Sequence, residues 1–213
     1  MIRPRDILDF WFGAGPEKWF TKSDAFDAEI RRRFGETHKD AAAGKLDGWG
    51  NDAQGMLALI LVLDQFSRNL WRNDHRAFAQ DAKALALADE AVRRRFDVET
   101  PATARKWFYM PYMHSEDLAA QERGLAYFAQ RLDDPETMRF ADEHADIIRR
   151  FGRFPHRNAV LGRETTPEEQ SFLDAGGFAG YAGLRSKLPH GGRSFRQSLP
   201  VVSFAFRAVS LIH

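Results

Sequence analysis

The sequence predicts an all-α protein. Apolar residues recur at helical spacing through most of the chain, helix-start signals precede several of these stretches, and strand-like alternation is nearly absent before position 176. Short connections between the stretches imply antiparallel helix pairs stacked side by side.

Taken in order, Ser23 is placed to cap DAFDAEIRRRF, where Phe26, Ile30 and Phe34 recur at four-residue spacing. A second, shorter helical segment is expected through ETHKDAAAG, stopping at Gly44. NDAQGMLALILVLDQFSRNLWR is apolar almost all round from Met56 to Leu63, which predicts a central, enclosed helix. Phe78, Ala82, Leu85, Ala88, Val92 and Phe96 form one stripe of the next. Thr100 and Pro101 open ATARKWFYM as cap and first-turn proline, and Pro111 is expected to end it. Ser115 is read as the cap of EDLAAQERGLAYFAQRL, with Glu116 and Asp117 in the first turn, where the helix dipole favours acids. Asp134–Pro135 and Thr166–Pro167 repeat the start signal, and Glu169 completes a capping box with Thr166.

A length of 213 residues suits one domain. With no cysteine, disulfides, thiolate metal sites and cysteine nucleophiles are excluded, and a reducing cytoplasm is the expected location. The longest apolar run, MLALILVL, is far short of the roughly 20 residues a membrane span needs, so no membrane association is expected. From Ala175 onward the chain carries Arg185, Lys187, Arg193, Arg196 and Arg207 and no acid, so a mildly acidic body precedes a basic tail. An acidic body does not favour nucleic acid. We expect a helical domain over residues 1–180 and a poorly ordered or loosely docked extension over 181–213. In that extension the uncharged, β-prone VVSFAF offers a route to homo-oligomers.

Three places gather chemistry. In PETMRFADEHADIIRRFG, His144 is the only polar residue in the apolar half of the helix, either as a satisfied core histidine or as a pocket histidine. Gly152 then ends the helix, and the following loop presents Arg153, His156, Arg157 and Asn158, with no acid between Asp146 and Glu164. Guanidinium forks bind carboxylate or phosphate bidentately, so this loop reads as an anion site; alternatively its side chains tie the loop to helix carbonyls. The second place is the end of the central helix, where Asp64, Arg68 and Arg72 share one arc with Gln65 and Asn69. That arc suits a groove floor or an internal Asp64–Arg68 ion pair. The third is MPYMHSEDLAAQE, where capping accounts for Ser115, Glu116 and Asp117 but leaves His114 unexplained.

Several chemistries fall away. G-x-S-x-G, G-x-x-x-x-G-K-[ST] and H-E-x-x-H are missing. A metal held by His114, His144 and His156 with Asp64 or Glu116 has no ligand spacing behind it, and no metal or cofactor is expected. The leading expectation is a groove that binds a small anionic molecule or an acidic peptide end, lined by Arg68, Asn69, His114, His144, Arg153, His156, Arg157 and Asn158. One alternative is an enzyme with His144 or His114 as general base and Asp64 or Glu116 as its orienter. Another is a purely structural polar network in a scaffold that binds partner proteins.

DILDFWFG, LALILVLDQFSRNLWR, AFAQDAKALALA, YMPYMHSEDLAAQE and HADIIRRFGRFPHRNAVLGRETTPEE together resemble, in this order, the bacterial domain-of-unknown-function family numbered 924. The similarity runs from about Asp6 to Gly180; residues after Gly180 depart from the family pattern. It implies a right-handed, tetratricopeptide-like superhelix of stacked helix pairs, and no established activity.

Overall fold

The structure is a computed structural model that describes residues 1–177. The expectations for 181–213, extension and oligomer route included, lie outside the described residues. Among these the chain is helical, with no strand.

Helix α1, Pro4–Ala14, buries Ile7, Leu8 and Trp11. Helix α2, Asp24–Ala42, starts where Ser23 accepts a hydrogen bond from the Phe26 amide. It runs unbroken through Gly35, so ETHKDAAAG is no separate helix. Burial of Phe26, Ile30, Phe34 and Ala41 along one face outweighs the modest helix cost of a single glycine. Gly44, at φ +79°, is where the chain turns.

The central helix α3 begins at Ala53, capped by Asp52, and is α-helical to Leu61. A π turn spans Val62–Phe66, and the helix resumes as Ser67–Leu70. Every residue from Gly55 to Ser67 is buried, as the all-round apolar pattern predicts. The π turn has its own tether. Ser67 Oγ donates to Leu63 O at 2.5 Å, so the His38 ring donates to Ser67 Oγ across 2.8 Å. Around this helix the rings of Phe10, Trp11, Trp19, Phe26, Phe34, Phe66 and Trp107 pack at edge or stacked geometry, with Trp11 and Trp107 centroids 5.1 Å apart.

Helix α4, Asp81–Arg93, buries Ala84, Ala88 and Ala91, whereas Ala82 is exposed and Leu85 and Val92 are only partly covered. The buried stripe is rotated from the predicted one because small side chains face α3 at close range. Pro111 does not end a helix either. It stands in the first turn of a short helix α5, Met110–His114, where its missing N–H costs nothing.

Helix α6, Leu118–Arg131, is capped by Asp117, which accepts from the amides of Ala119 and Ala120, and not by Ser115. The helix therefore starts two residues later than predicted. Glu116 falls outside it and is free to reach elsewhere. A Cβ at Gly124 would sit 2.7 Å from that of Tyr112, so glycine is what allows α6 to lie this close to α5. Gln121 locks the junction by donating to the carbonyls of Met113 and Ser115, both at 2.7 Å.

Helix α7, Pro135–Phe151, is capped by Asp134 and ended by Gly152 at φ +68°. Helix α8, Pro167–Asp174, carries the predicted capping box. The end of α7, the loop after it and α8 share a small apolar cluster of Ile147, Ile148 and Phe154 with Phe151 and Phe172.

Candidate functional site

The polar end of α3, the end of α5, His144 of α7 and the loop after α7 meet in one place. Asp64, with no exposure, lies in the π turn. Its Oδ1 is 2.7 Å from Nδ1 of His114, and its Oδ2 accepts from Gln65 Nε2 at 2.6 Å. Arg68 Nη2 stands 3.6 Å from Asp64 Oδ1. Burial alone would push the Asp64 carboxyl up; the charge and hydrogen bond of His114, with Arg68 and Gln65, outweigh it and hold the group ionised. Whenever the His114 ring carries one proton, a carboxylate on Nδ1 keeps that proton there and leaves the lone pair on Nε2.

His144 occupies the apolar face of α7 and is buried, as its position in the helix predicts. Its Nδ1 donates to the Phe140 carbonyl at 2.6 Å, and its ring lies 6.4 Å from that of His114. Burial pushes its pKa down to about 3, which makes it a neutral hydrogen-bonding group and a weak base at neutral pH. His156 lies tilted against Phe154, ring centroids 5.5 Å apart, and burial followed by the nearby Arg157 charge lowers it to about 4.

Arg157 is 7% exposed and its guanidinium is held between two rings, 4.5 Å from Phe78 and 4.5 Å from Phe154. It donates to the His114 carbonyl at 3.0 Å and to Asp81 Oδ2 at 3.3 Å. Burial, then the neighbouring Arg68, brings it down to about 10, so it stays cationic at neutral pH. Its Nε and the Oδ1 of Asn158 are buried with no hydrogen-bond partner among the described residues. Arg68 lies against the same Phe78 ring at 4.8 Å, donates to the Ala77 carbonyl and pairs with Asp81.

Other expected members go elsewhere. Asn69 and Arg72 turn to Asp27 of α2, with Asn69 Nδ2 2.8 Å from Asp27 Oδ1. Arg153 forms a two-pronged pair with Glu169 of α8 at 2.6 and 2.8 Å, and Asn158 Nδ2 donates to the same carboxylate at 3.2 Å. Glu169 also caps α8, and Arg153 holds its carboxyl down to about 2. Glu116 does not orient a histidine. Freed from the first turn of α6, it accepts from the Phe154 amide at 2.8 Å and from Arg163 at 2.6 and 3.0 Å. The loop that carries no acid of its own is thus supplied with acids by α4, α8 and the α5–α6 junction. Asp81, Phe78, Glu169 and Arg163 were missed as members because each has a sufficient local explanation: first turn, apolar stripe, capping box, loop. Among the described residues no three His, Asp or Glu side chains converge as a metal site.

The model of the bacterial family of unknown function DUF924 matches residues 7–177. The chain belongs to DUF924. A solved structure of a protein of unknown function from Agrobacterium tumefaciens is similar to it at 46% identity, covering 81% of this chain and 97% of that one with a TM-score of 0.78. No curated protein matches. The DUF924 match takes in every residue of the Asp64–His114–Arg157 cluster.

Proposed function

We propose that the cluster binds a small anionic molecule through Arg68 and Arg157, on a tetratricopeptide-like stack of helix pairs in the cytoplasm. The observation that carries this reading is Arg157: a cation more than nine-tenths buried, lying over two rings, whose Nε has no partner among the described residues. A buried guanidinium donor left without an acceptor is costly, so an anionic oxygen arriving there gains more than it would at a solvated arginine. His144 and His156, kept neutral, add hydrogen bonds without adding charge. The stack is supported by α6 and α7, which pack together across the short link at 132–134.

Thermal-shift and calorimetric titration of the full chain with acetate, succinate, phosphate and sulfate tests it. At a hundredfold excess over the dissociation constant, a true ligand stabilises by about 2.7 kcal/mol. The effect should vanish in Arg157→Met. If no anion stabilises the chain, the reading fails.

A second reading, acid–base chemistry, is favoured by the 2.7 Å contact of Asp64 with His114 Nδ1. A carboxylate on Nδ1 sets the tautomer and presents Nε2 to a substrate proton, the arrangement a general base requires. Long-range proton–nitrogen NMR would decide whether Nε2 is the acceptor; a proton found on Nε2 and none on Nδ1 would remove this reading.

A further inference from the structure

Asp81 is the first residue of α4, a position where an acid ordinarily does no more than face the helix dipole. Here its carboxylate bridges the two arginines. Oδ1 lies 2.7 Å from Arg68 Nη1, while Oδ2 accepts from Arg68 Nη2 at 2.9 Å and from Arg157 Nη1 at 3.3 Å. Both guanidiniums rest on Phe78. Two planar forks on one aromatic platform therefore already hold a carboxylate.

The bridge is graded in depth. The Asp81 side chain is 20% exposed, against 8% for Arg157 and 1% for Asp64. Asp81 and Arg68, at 20% and 22%, are the members nearest solvent, and Asp81 stands on a helix start preceded by the short turn His75–Phe78. Without it, Arg68 and Arg157 would face each other as like charges with only Asp64 and Glu116 at longer range. A carboxylate between them offsets that repulsion, and it can come from the chain or from a ligand.

We infer that Asp81 is a built-in stand-in for the carboxylate of the ligand, displaced when that ligand binds. This rests on the anion-binding reading and narrows it to small carboxylates, whose planar oxygen pair matches what the arginines grip in the free protein. An intramolecular carboxylate is present at high effective concentration, so it weakens every external competitor. The ligand must offset that competition, and Arg157 Nε, which has no partner among the described residues, supplies one further donor for doing so.

The test uses the full chain as wild type, Asp81→Ala and Asp81→Asn, titrated with acetate and with phosphate and read by calorimetry and melting temperature. Acetate should bind both variants about tenfold or more tighter than wild type, because the competing state is removed. Phosphate should gain less, and Arg157→Met added to Asp81→Ala should abolish the gain. If Asp81→Ala folds only in the presence of acetate, that is the same result in another form, and the isosteric Asp81→Asn gives the affinity. Acetate binding the variants no tighter than wild type, or phosphate gaining as much as acetate, overturns the stand-in. Acetate binding with the same affinity in wild type and in both variants overturns the stand-in but leaves the site itself in place. Binding by none of the three removes both.

Discussion

Two clusters share the end of the central helix and differ in how completely they are satisfied. On one side Asp27 receives Asn69 through Oδ1 and Arg72 through both oxygens, and no buried atom of the three lacks a partner. On the other side Asp64, Arg68, His114 and Arg157 pair with one another and with Asp81, yet Arg157 Nε and the adjacent Asn158 Oδ1 have no partner among the described residues. Asn69 and Arg72 of the one and Asp64 and Arg68 of the other come from one arc at the end of the central helix, so residue type and spacing do not distinguish them. Completeness does. A closed polar cluster holds elements together, whereas one with buried capacity left over is where the proposed anion would find a donor.

The largest effect expected from a single substitution in this comparison belongs to the closed cluster. Asp27→Ala leaves buried Asn69 and partly buried Arg72 without their acid, and should cost about 3 kcal/mol or more in urea denaturation. Anion binding by the folded variant should be unchanged. A loss below about 1 kcal/mol would erase the distinction.

Acid should act next, and mainly through the other cluster. His144 and His156 have folded pKa values near 3 and 4, below the ordinary 6.5, so between 6.5 and those values the unfolded chain takes up protons that the folded chain does not. Stability is therefore fully present above pH 6.5 and falls as pH drops below it, by at most about 1.4 kcal/mol per pH unit for each histidine. Glu169, depressed to about 2, adds a loss of the same sign as pH falls below its ordinary 4.5. Melting curves from pH 7 to 4 check this. His144→Leu should flatten the slope, and an unchanged slope would mean that His144 is protonated in the fold.

The smallest stability effect is expected at Arg157. Removing a buried, incompletely satisfied cation gives up its pairs but also its desolvation cost, so Arg157→Met should stay within about 1 kcal/mol of wild type in urea. A loss comparable to that of Asp27→Ala would reassign the histidine cluster to structure.

Much of the scaffold was legible in the sequence. Ser23, Asp134, Thr166 and Gly152 end or start helices where local chemistry places them, because caps depend on neighbours a few residues away. The burial of His144 follows from the same 3.6-residue period. Local reasoning failed where two local options had similar value. Ser115 and Asp117 both suit an N-cap, and the packing of Gly124 on Tyr112 and the grip of Gln121 on α5 favour the later one. That shift of two residues takes Glu116 out of the helix and makes it the anchor of a distant loop.

The sequence by itself determined the all-helical class and the helix-facing direction of His144. It also singled out three places where imidazole and guanidinium groups collect, since periodicity and capping are short-range. Only the tertiary structure decided that Asp64 meets His114, that Arg157 lies between Phe78 and Phe154, and that Asp27, Asp81, Glu116 and Glu169 reach the cations the local sequence left alone. The reason is physical: an ion pair requires only that two groups come close, and residues separated by as many as 76 positions do so only through the packing of the whole chain.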